Sequence, residues 1–192
     1  MVANVQHSAS SSEHGTPPVA VQFAVGVMGR IDLDPCSSAY WQHYTTKAGR
    51  YYDREQNGLK LPWSGLVFVN PPGGDKERDE RSQVKPFWSR LVEFWRRGAI
   101  DGACWLSFTL EHHVLLQGEP THPLMFPTLT FCERLDYLRR PEGGGPPKKG
   151  GAPTHGSAMT LLPSVRNKAE ARAQMTRFRD LGASLGAVTR PL

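Results

Sequence analysis

Residues 65–74 read GLVFVNPPGG. The apolar run predicts a strand, and it stops abruptly at a polar amide followed by a stiff dipeptide. Pro71 and Pro72 fix their own φ angles and donate no hydrogen bond. Each also pushes the residue before it toward extended geometry. The strand therefore has to end here, and it leaves a rigid backbone whose carbonyls point outward beside the Asn70 amide. Whatever the rest of the chain folds into must use a buried strand that delivers this segment to its end.

The flanking sequence supplies the layers. A helix is predicted over residues 19–29, with Pro17 and Pro18 at its start and Gly29 at its end. RIDLDP (30–35) alternates and is closed by Pro35, which predicts a short strand. Residues 37–49 predict a helix capped by Ser37 or Ser38 and closed by Gly49. Residues 51–63 form a loop with a turn at Asn57–Gly58, and 75–83 form a charged loop. An amphipathic helix follows over 86–98, with Phe87, Leu91, Phe94 and Trp95 on one face. Then come a buried strand (102–110), a short helix (110–118), one or two strands (129–138), a Gly/Pro/Lys loop (141–153), a strand (157–163) and a basic helix (166–182).

Strands alternating with helices predict an α/β fold: one layered domain with a mostly parallel sheet. Its expected span is 16–164, between a disordered tail (1–15) and a basic C-terminal helix and tail (165–192). Such sheets bind ligands just past the carboxyl ends of their strands. Asp34–Pro35 and Asn70–Pro72 both fall at predicted strand ends.

The chain has 192 residues, enough for one domain with a real core. No apolar run reaches the length of a membrane span, and the N-terminus has neither the basic start nor the apolar stretch of a secretory signal. Cys36, Cys104 and Cys132 are widely spaced and form no CxxC pair, so no disulfide framework or zinc site is expected. A reducing cytoplasm is the simplest setting. Net charge is +5, and from Arg134 onward eleven Lys/Arg face four Asp/Glu. That basic excess fits either a polyanionic partner such as nucleic acid or a solvated tail.

Chemically, an amide oxygen beside a fixed carbonyl makes two close acceptors. Two acceptors suit an exocyclic NH2 group, which has two protons to donate. Holding both protons aims the nitrogen lone pair, so the amine can attack an electrophilic methyl group mainly through orientation. The plain alternative is a strand that ends in a Pro-Pro turn.

Several segments together resemble the phage-type DNA adenine-N6 methyltransferases, a Dam-like family, in an NPPGG variant. They are GTPP (15–18), IDLDPCSSA (31–39), NGLKLPW (57–63) and VFVNPPGG (67–74), in the family's order and spacing. RLDYL and APTHGSAMTLLP are similar to its late strands, so the likeness runs from about Gly15 to Pro163. The resemblance implies a Rossmann-like methyltransferase that uses S-adenosylmethionine on DNA, in the bacterial cytoplasm, as a phage or prophage protein. It implies that Asn70 and the Pro71 carbonyl hold the adenine amino group and that Pro72 fixes the loop. Thr16, Pro17 and Pro18 would lie near the methionine part of the cofactor. Asp34 and Pro35 would sit at the cofactor edge of the sheet with Cys36 and Ser37 beside them, and Asn57, Gly58 and Leu59 near the cofactor's adenine ring. Two departures stand out. DPCSS offers no glycine-rich cofactor loop, and Gly73 occupies the position where most relatives carry an aromatic ring that stacks on a flipped base.

Phe87 and Trp88 are candidates to replace that ring, against a role in the core. Tyr40, Trp41, Tyr44, Tyr51 and Tyr52, with Lys47, Arg50 and Arg54, either line a nucleic-acid path or pack as a helix face and loop. His112 and His113 lack metal-ligand spacing and are expected on the surface; no metal is expected. His155 lies beside the flexible loop. NPPGGDK lacks the ending of a phosphate-binding P-loop. Lys148, Lys149, Arg166, Lys168 and Arg172 are the expected DNA-backbone contacts, with Arg177 and Arg179 further along the last helix. Three functions stay open at this stage: adenine methylation, a methyltransferase-like module that binds DNA or protein without catalysis, and methylation of another amino group.

Overall fold

The computed structural model describes residues 14–73, 82–150 and 155–189. The predicted charged loop at 75–83 lies almost wholly outside them, as does most of the tail at 1–15.

The apolar run before Asn70 is strand β4 (Gly65–Val69); β1 (His14–Gly15), β2 (Leu33–Asp34) and β3 (Arg50–Tyr51) precede it. Val67, Phe68 and Val69 have no exposed surface. Leu66 and Phe68 face one core cluster, and Val67 and Val69 face the other. A strand covered on both faces reads as a continuous apolar run, which is why this segment is legible. The same division holds in β5 (Ile100–Ser107), where Cys104 and Leu106 join the first cluster and Ala103 and Trp105 the second.

The first cluster is capped by α1 (Pro18–Met28) and α5 (Lys168–Gly182), through Phe23, Val27 and Phe178. The second is capped by α3 (Val84–Arg96), through Phe87, Trp88 and Leu91. The result is helix, sheet, helix. α3 begins two residues before the predicted Pro86, which fits because a proline in a first helical turn lacks only a donor that has no partner there.

The main sheet has the order β10-β6-β9-β5-β4-β2-β3, with β6 at Thr128–Phe131, β9 at Ala158–Leu162 and β10 at Gly186–Thr189. Strands β3, β2, β4 and β5 run parallel, as an α/β reading expects. β9 pairs antiparallel with both β5 and β6, and β10 pairs antiparallel with β6, so the sheet is mixed. The C-terminal segment is part of this architecture: α5 packs on α1, and β10 closes one sheet edge. A second, small antiparallel sheet joins β1, β7 (Leu138–Arg139) and β8 (Lys148–Lys149).

The predicted helix over 37–49 is realised as a single α-turn, α2 (Ala39–Trp41), followed by a π-helical stretch over Gln42–Thr46. Ser38 caps it, accepting from the Trp41 amide at 3.4 Å. It ends at Lys47, in the left-handed region at φ 48°, before Gly49 is reached. No described helix is long and apolar enough to cross a membrane.

Candidate functional site

Chain order places β3 on one side of β2, and β4 then β5 on the other. The loops leaving β2 and β4 therefore diverge at a switch point of the sheet, where open α/β sheets hold ligands. These loops begin at Pro35 and Asn70. Parallel pairing of Leu33 with Val67 brings Cys36 level with Asn70, and the Cys36 thiol donates to the Asn70 backbone carbonyl at 3.2 Å.

The Asn70 side chain is held from a third direction. Its Nδ2 donates to Thr16 Oγ1 at 3.1 Å, although the two residues are 54 positions apart. Thr16 is fixed between β1 and α1, where the Pro17 carbonyl accepts from the Ala20 and Val21 amides at 3.0 and 3.3 Å. With that contact made, Asn70 Oδ1 is buried with no hydrogen-bond partner. An unsatisfied buried acceptor costs roughly 1–3 kcal/mol, so a donor that reaches it recovers that cost. Pro71 is buried, Pro72 and Gly73 are exposed, and the Pro72 carbonyl accepts from the Gln83 amide at 3.1 Å, tying the loop to the start of α3.

The β2 loop and the 57–59 turn form one unit. A β-carbon on Gly58 would lie 2.0 Å from the Pro35 carbonyl oxygen, so only glycine allows this approach. Asn57 adopts φ 55°, and its side-chain oxygen accepts from the Leu59 amide at 3.2 Å. Trp63 Nε1 donates to the Gly58 carbonyl at 2.8 Å, and the Ser37 amide donates to Tyr52 at 2.9 Å.

Asp34 has a different role from the one its position suggests. Its Oδ2 accepts from Thr46 Oγ1 at 2.8 Å and Gln42 Nε2 at 3.1 Å, and Oδ1 accepts from the Cys36 amide at 3.3 Å. Burial pushes its pKa up to about 6 against the opposing pull of these hydrogen bonds. The carboxylate is turned inward and shapes the loop. Burial, and then the Asp34 charge, also push the Cys36 thiol well above its usual pKa.

Gly73 has an aromatic neighbour that the sequence did not reveal. A β-carbon built on it would lie 2.7 Å from Cζ of Phe108, the residue after β5. Phe108 makes edge contacts with His112 at 4.2 Å and Tyr137 at 6.4 Å between ring centroids. Read linearly, Phe108 merges into the strand GACWLSFTL; the bare glycine at position 73 was the only hint that a ring stands over it.

Other expectations change. Phe87 and Trp88 are 6% and 1% exposed, so neither ring is free to take a ligand. His112 and His113, expected on the surface of α4 (Glu111–Leu116), are buried. Burial and the neighbouring His113 bring the His112 pKa down to about 4. His155 is exposed.

The five basic candidates separate. Lys148 and Lys149 lie in β8, whose small sheet includes β1 and so leads into Thr16 and Asn70; Lys149 also pairs with Asp136 at 3.4 Å. Arg166 donates to the Gly98 carbonyl at 3.2 Å, just before β5 begins. Lys168 opens α5, and Arg172 lines a groove with Pro127 and Val188. Those three belong to the end of the sheet where β5 begins, opposite the strand ends that carry Asn70. A second groove, between α3 and residues 119–121, shares no lining residue with the Asn70 site. No family model matches this sequence, and no curated protein matches it.

Proposed function

We propose that this chain is a Rossmann-like, S-adenosylmethionine-dependent DNA methyltransferase acting on adenine N6, a phage or prophage protein working in a bacterial cytoplasm. The observation that carries the reading is Asn70 Oδ1: a buried acceptor without a partner, at a sheet switch point, on an amide already oriented by Thr16. No described residue satisfies it, and a substrate amino group would.

In this reading the amine donates one proton to Asn70 Oδ1 and the other to the Pro71 carbonyl. Thr16 prevents the amide from rotating, and the Pro71–Pro72 backbone keeps the second acceptor in register. Both bonds aim the nitrogen lone pair out of the substrate ring plane, so the chain contributes orientation more than proton transfer. The residues around Asn70 fit the cofactor. Thr16–Pro18 and the Pro35–Ser37 loop, braced by Asn57–Leu59, flank the amide whose oxygen is orphaned. When bound, the cofactor supplies an electrophilic sulfonium methyl. Because Asp34 spends its carboxylate on Thr46, Gln42 and Cys36, and the Ser37 hydroxyl accepts from Gln42 at 2.9 Å, cofactor hydroxyls are left to the neighbouring backbone.

The test is to incubate purified protein with labelled S-adenosylmethionine and unmethylated DNA and to identify the product base by mass spectrometry. N6-methyladenine is expected from the wild-type chain. Asn70→Ala should reduce its formation at least about a hundredfold, the scale set by losing an orienting contact in the transition state, with circular dichroism unchanged. Full activity in Asn70→Ala would remove Asn70 from the mechanism. No heat of S-adenosylmethionine binding in calorimetry, together with no methylated product, would favour a non-catalytic binding module.

A further inference from the structure

We propose that Phe108 is the face on which the substrate base stacks, standing in from β5 for the ring that Gly73 lacks. The inference rests on the methyltransferase reading for the identity of the substrate, and its ligand class is a planar heterocycle bearing an exocyclic amine.

Three observations support it. The first is room: Cζ, Cε2 and Cε1 of Phe108 lie 2.7, 3.4 and 3.5 Å from where a β-carbon of residue 73 would be. The ring fills the space that a side chain on Gly73 would enter, so glycine at 73 and phenylalanine at 108 are a matched pair. The second is placement. β5 lies next to β4 and parallel to it, with Val69 paired to Trp105, so Phe108 leaves the sheet at the same strand ends as Asn70. The third is exposure. Residues Ala103 to Leu106 and Ser107 are fully buried, whereas Phe108 is only partly covered. Its position is fixed by the edge contact to His112 and by Ser157, whose hydroxyl donates to the Phe108 carbonyl at 3.4 Å.

Most of the rings that the sequence offered are engaged elsewhere. Phe87 and Trp88 are core residues. Tyr40 contacts Trp41 at 4.8 Å and Tyr44 at 4.9 Å, and the Trp41 ring packs over Gly15, so that group is occupied with itself and with β1. A ring beside two aligned acceptors completes a base site: the acceptors take the amine, and the ring takes the π-face.

The test uses Phe108→Leu, which keeps apolar bulk but removes the π-face, alongside Phe108→Ala and Phe108→Tyr. Two readouts are taken on each variant. The first is kcat/KM for methyl transfer to DNA. The second is the fluorescence change of a single 2-aminopurine in an oligo(dT) strand, which needs no chemistry. Phe108→Leu and Phe108→Ala should lower kcat/KM by about five- to hundredfold, the range for losing one base–aromatic stack. They should also abolish the fluorescence quench, with cofactor affinity by calorimetry and the melting temperature of Phe108→Leu near wild type. Phe108→Tyr should retain both signals. Gly73→Tyr alone should be impaired, because its β-carbon collides with Phe108, and Gly73→Tyr added to Phe108→Ala should recover activity. Phe108→Leu with wild-type kcat/KM and wild-type quench overturns the proposal. If the wild-type chain transfers no methyl group, the functional reading fails on its own; the quench then decides stacking, which stands if Phe108→Leu loses it and falls if it does not.

Discussion

Asp34 spends both carboxylate oxygens inside the fold, on Thr46, Gln42 and the Cys36 amide. It is the residue that joins the loop after β2 to the π-helical turn. Burial raises its pKa from 3.8 to about 6, so the folded chain holds this proton more tightly than the unfolded chain does. The resulting stabilisation is fully present below about pH 4 and is lost as pH rises through 6. Asp34→Asn removes the titration. The stability difference, wild type minus Asp34→Asn, should therefore grow by roughly 2.5 kcal/mol between pH 7 and pH 4. Urea denaturation across that range measures it, and a difference independent of pH would show that Asp34 does not titrate in this window. At this scale the sequence shows Asp34 and Asn70 at strand ends but hides their opposite orientations. Which oxygen is satisfied depends on Gln42, Thr46 and Thr16, and nothing in local spacing announces those partners.

Gly58 and the Pro35 loop show how elements are joined. Asn57–Gly58 is readable as a turn from composition, and the structure adds that the turn is pressed against the β2 loop, with Trp63 Nε1 holding the Gly58 carbonyl. A methyl group at 58 would have to push Pro35 away by more than an ångström, since its β-carbon starts 2.0 Å from the carbonyl oxygen. Gly58→Ala should therefore weaken S-adenosylmethionine binding at least about tenfold, close to 1.4 kcal/mol, while the sheet still folds. Calorimetry paired with thermal melting separates the two effects; unchanged affinity would detach this turn from the cofactor site. Legibility among elements follows burial. β4, β5 and β9 are apolar because both faces are covered, and α3 announces itself through Phe87 and Leu91. Strands β1, β7 and β8 have two residues each and exist only through their partners, so no run of their own marks them. β10 was absorbed into a tail because GAVT is half exposed and is defined by its pairing with β6. The π-helical stretch is equally silent in sequence: the Gln42 side chain bonds Asp34, Ser37 and Thr46 and accepts from the Ala48 amide, bonds that compete with regular helix geometry.

Across the whole molecule, the strands of the sheet have two ends, and charge is distributed between them in a way linear sequence cannot show. Counting cations toward the C-terminus suggests one basic surface. The fold instead sends Lys148 and Lys149 to the small sheet that leads to Thr16, and sends Arg166, Lys168 and Arg172 to the strand ends where β5 begins. Arg140 lies over the Tyr40 ring at 4.7 Å, and Tyr40 donates to the Gly145 carbonyl at 2.9 Å, so the loop carrying the two lysines is also tethered near α2. If DNA presents a base to Asn70, its backbone passes the first group, while the second lies a strand length away, about 17 Å for five residues. Each neutralised phosphate contributes about 0.9 to the slope of log K against log salt on duplex DNA. Lys148→Ala with Lys149→Ala should therefore lower duplex affinity and reduce that slope by up to about 1.8. The share of Lys149 will be the smaller one, because releasing Asp136 leaves an anion near the same phosphates. The triple replacement of Arg166, Lys168 and Arg172 by alanine should change the slope little, although losing the Arg166 bond to Gly98 will lower the melting temperature. Binding titrations at several salt concentrations on both variants provide the comparison. A larger slope change in the triple variant than in the double one would mean that DNA lies along α5, and the base site would then have to be sought at the opposite end of the strands from Asn70.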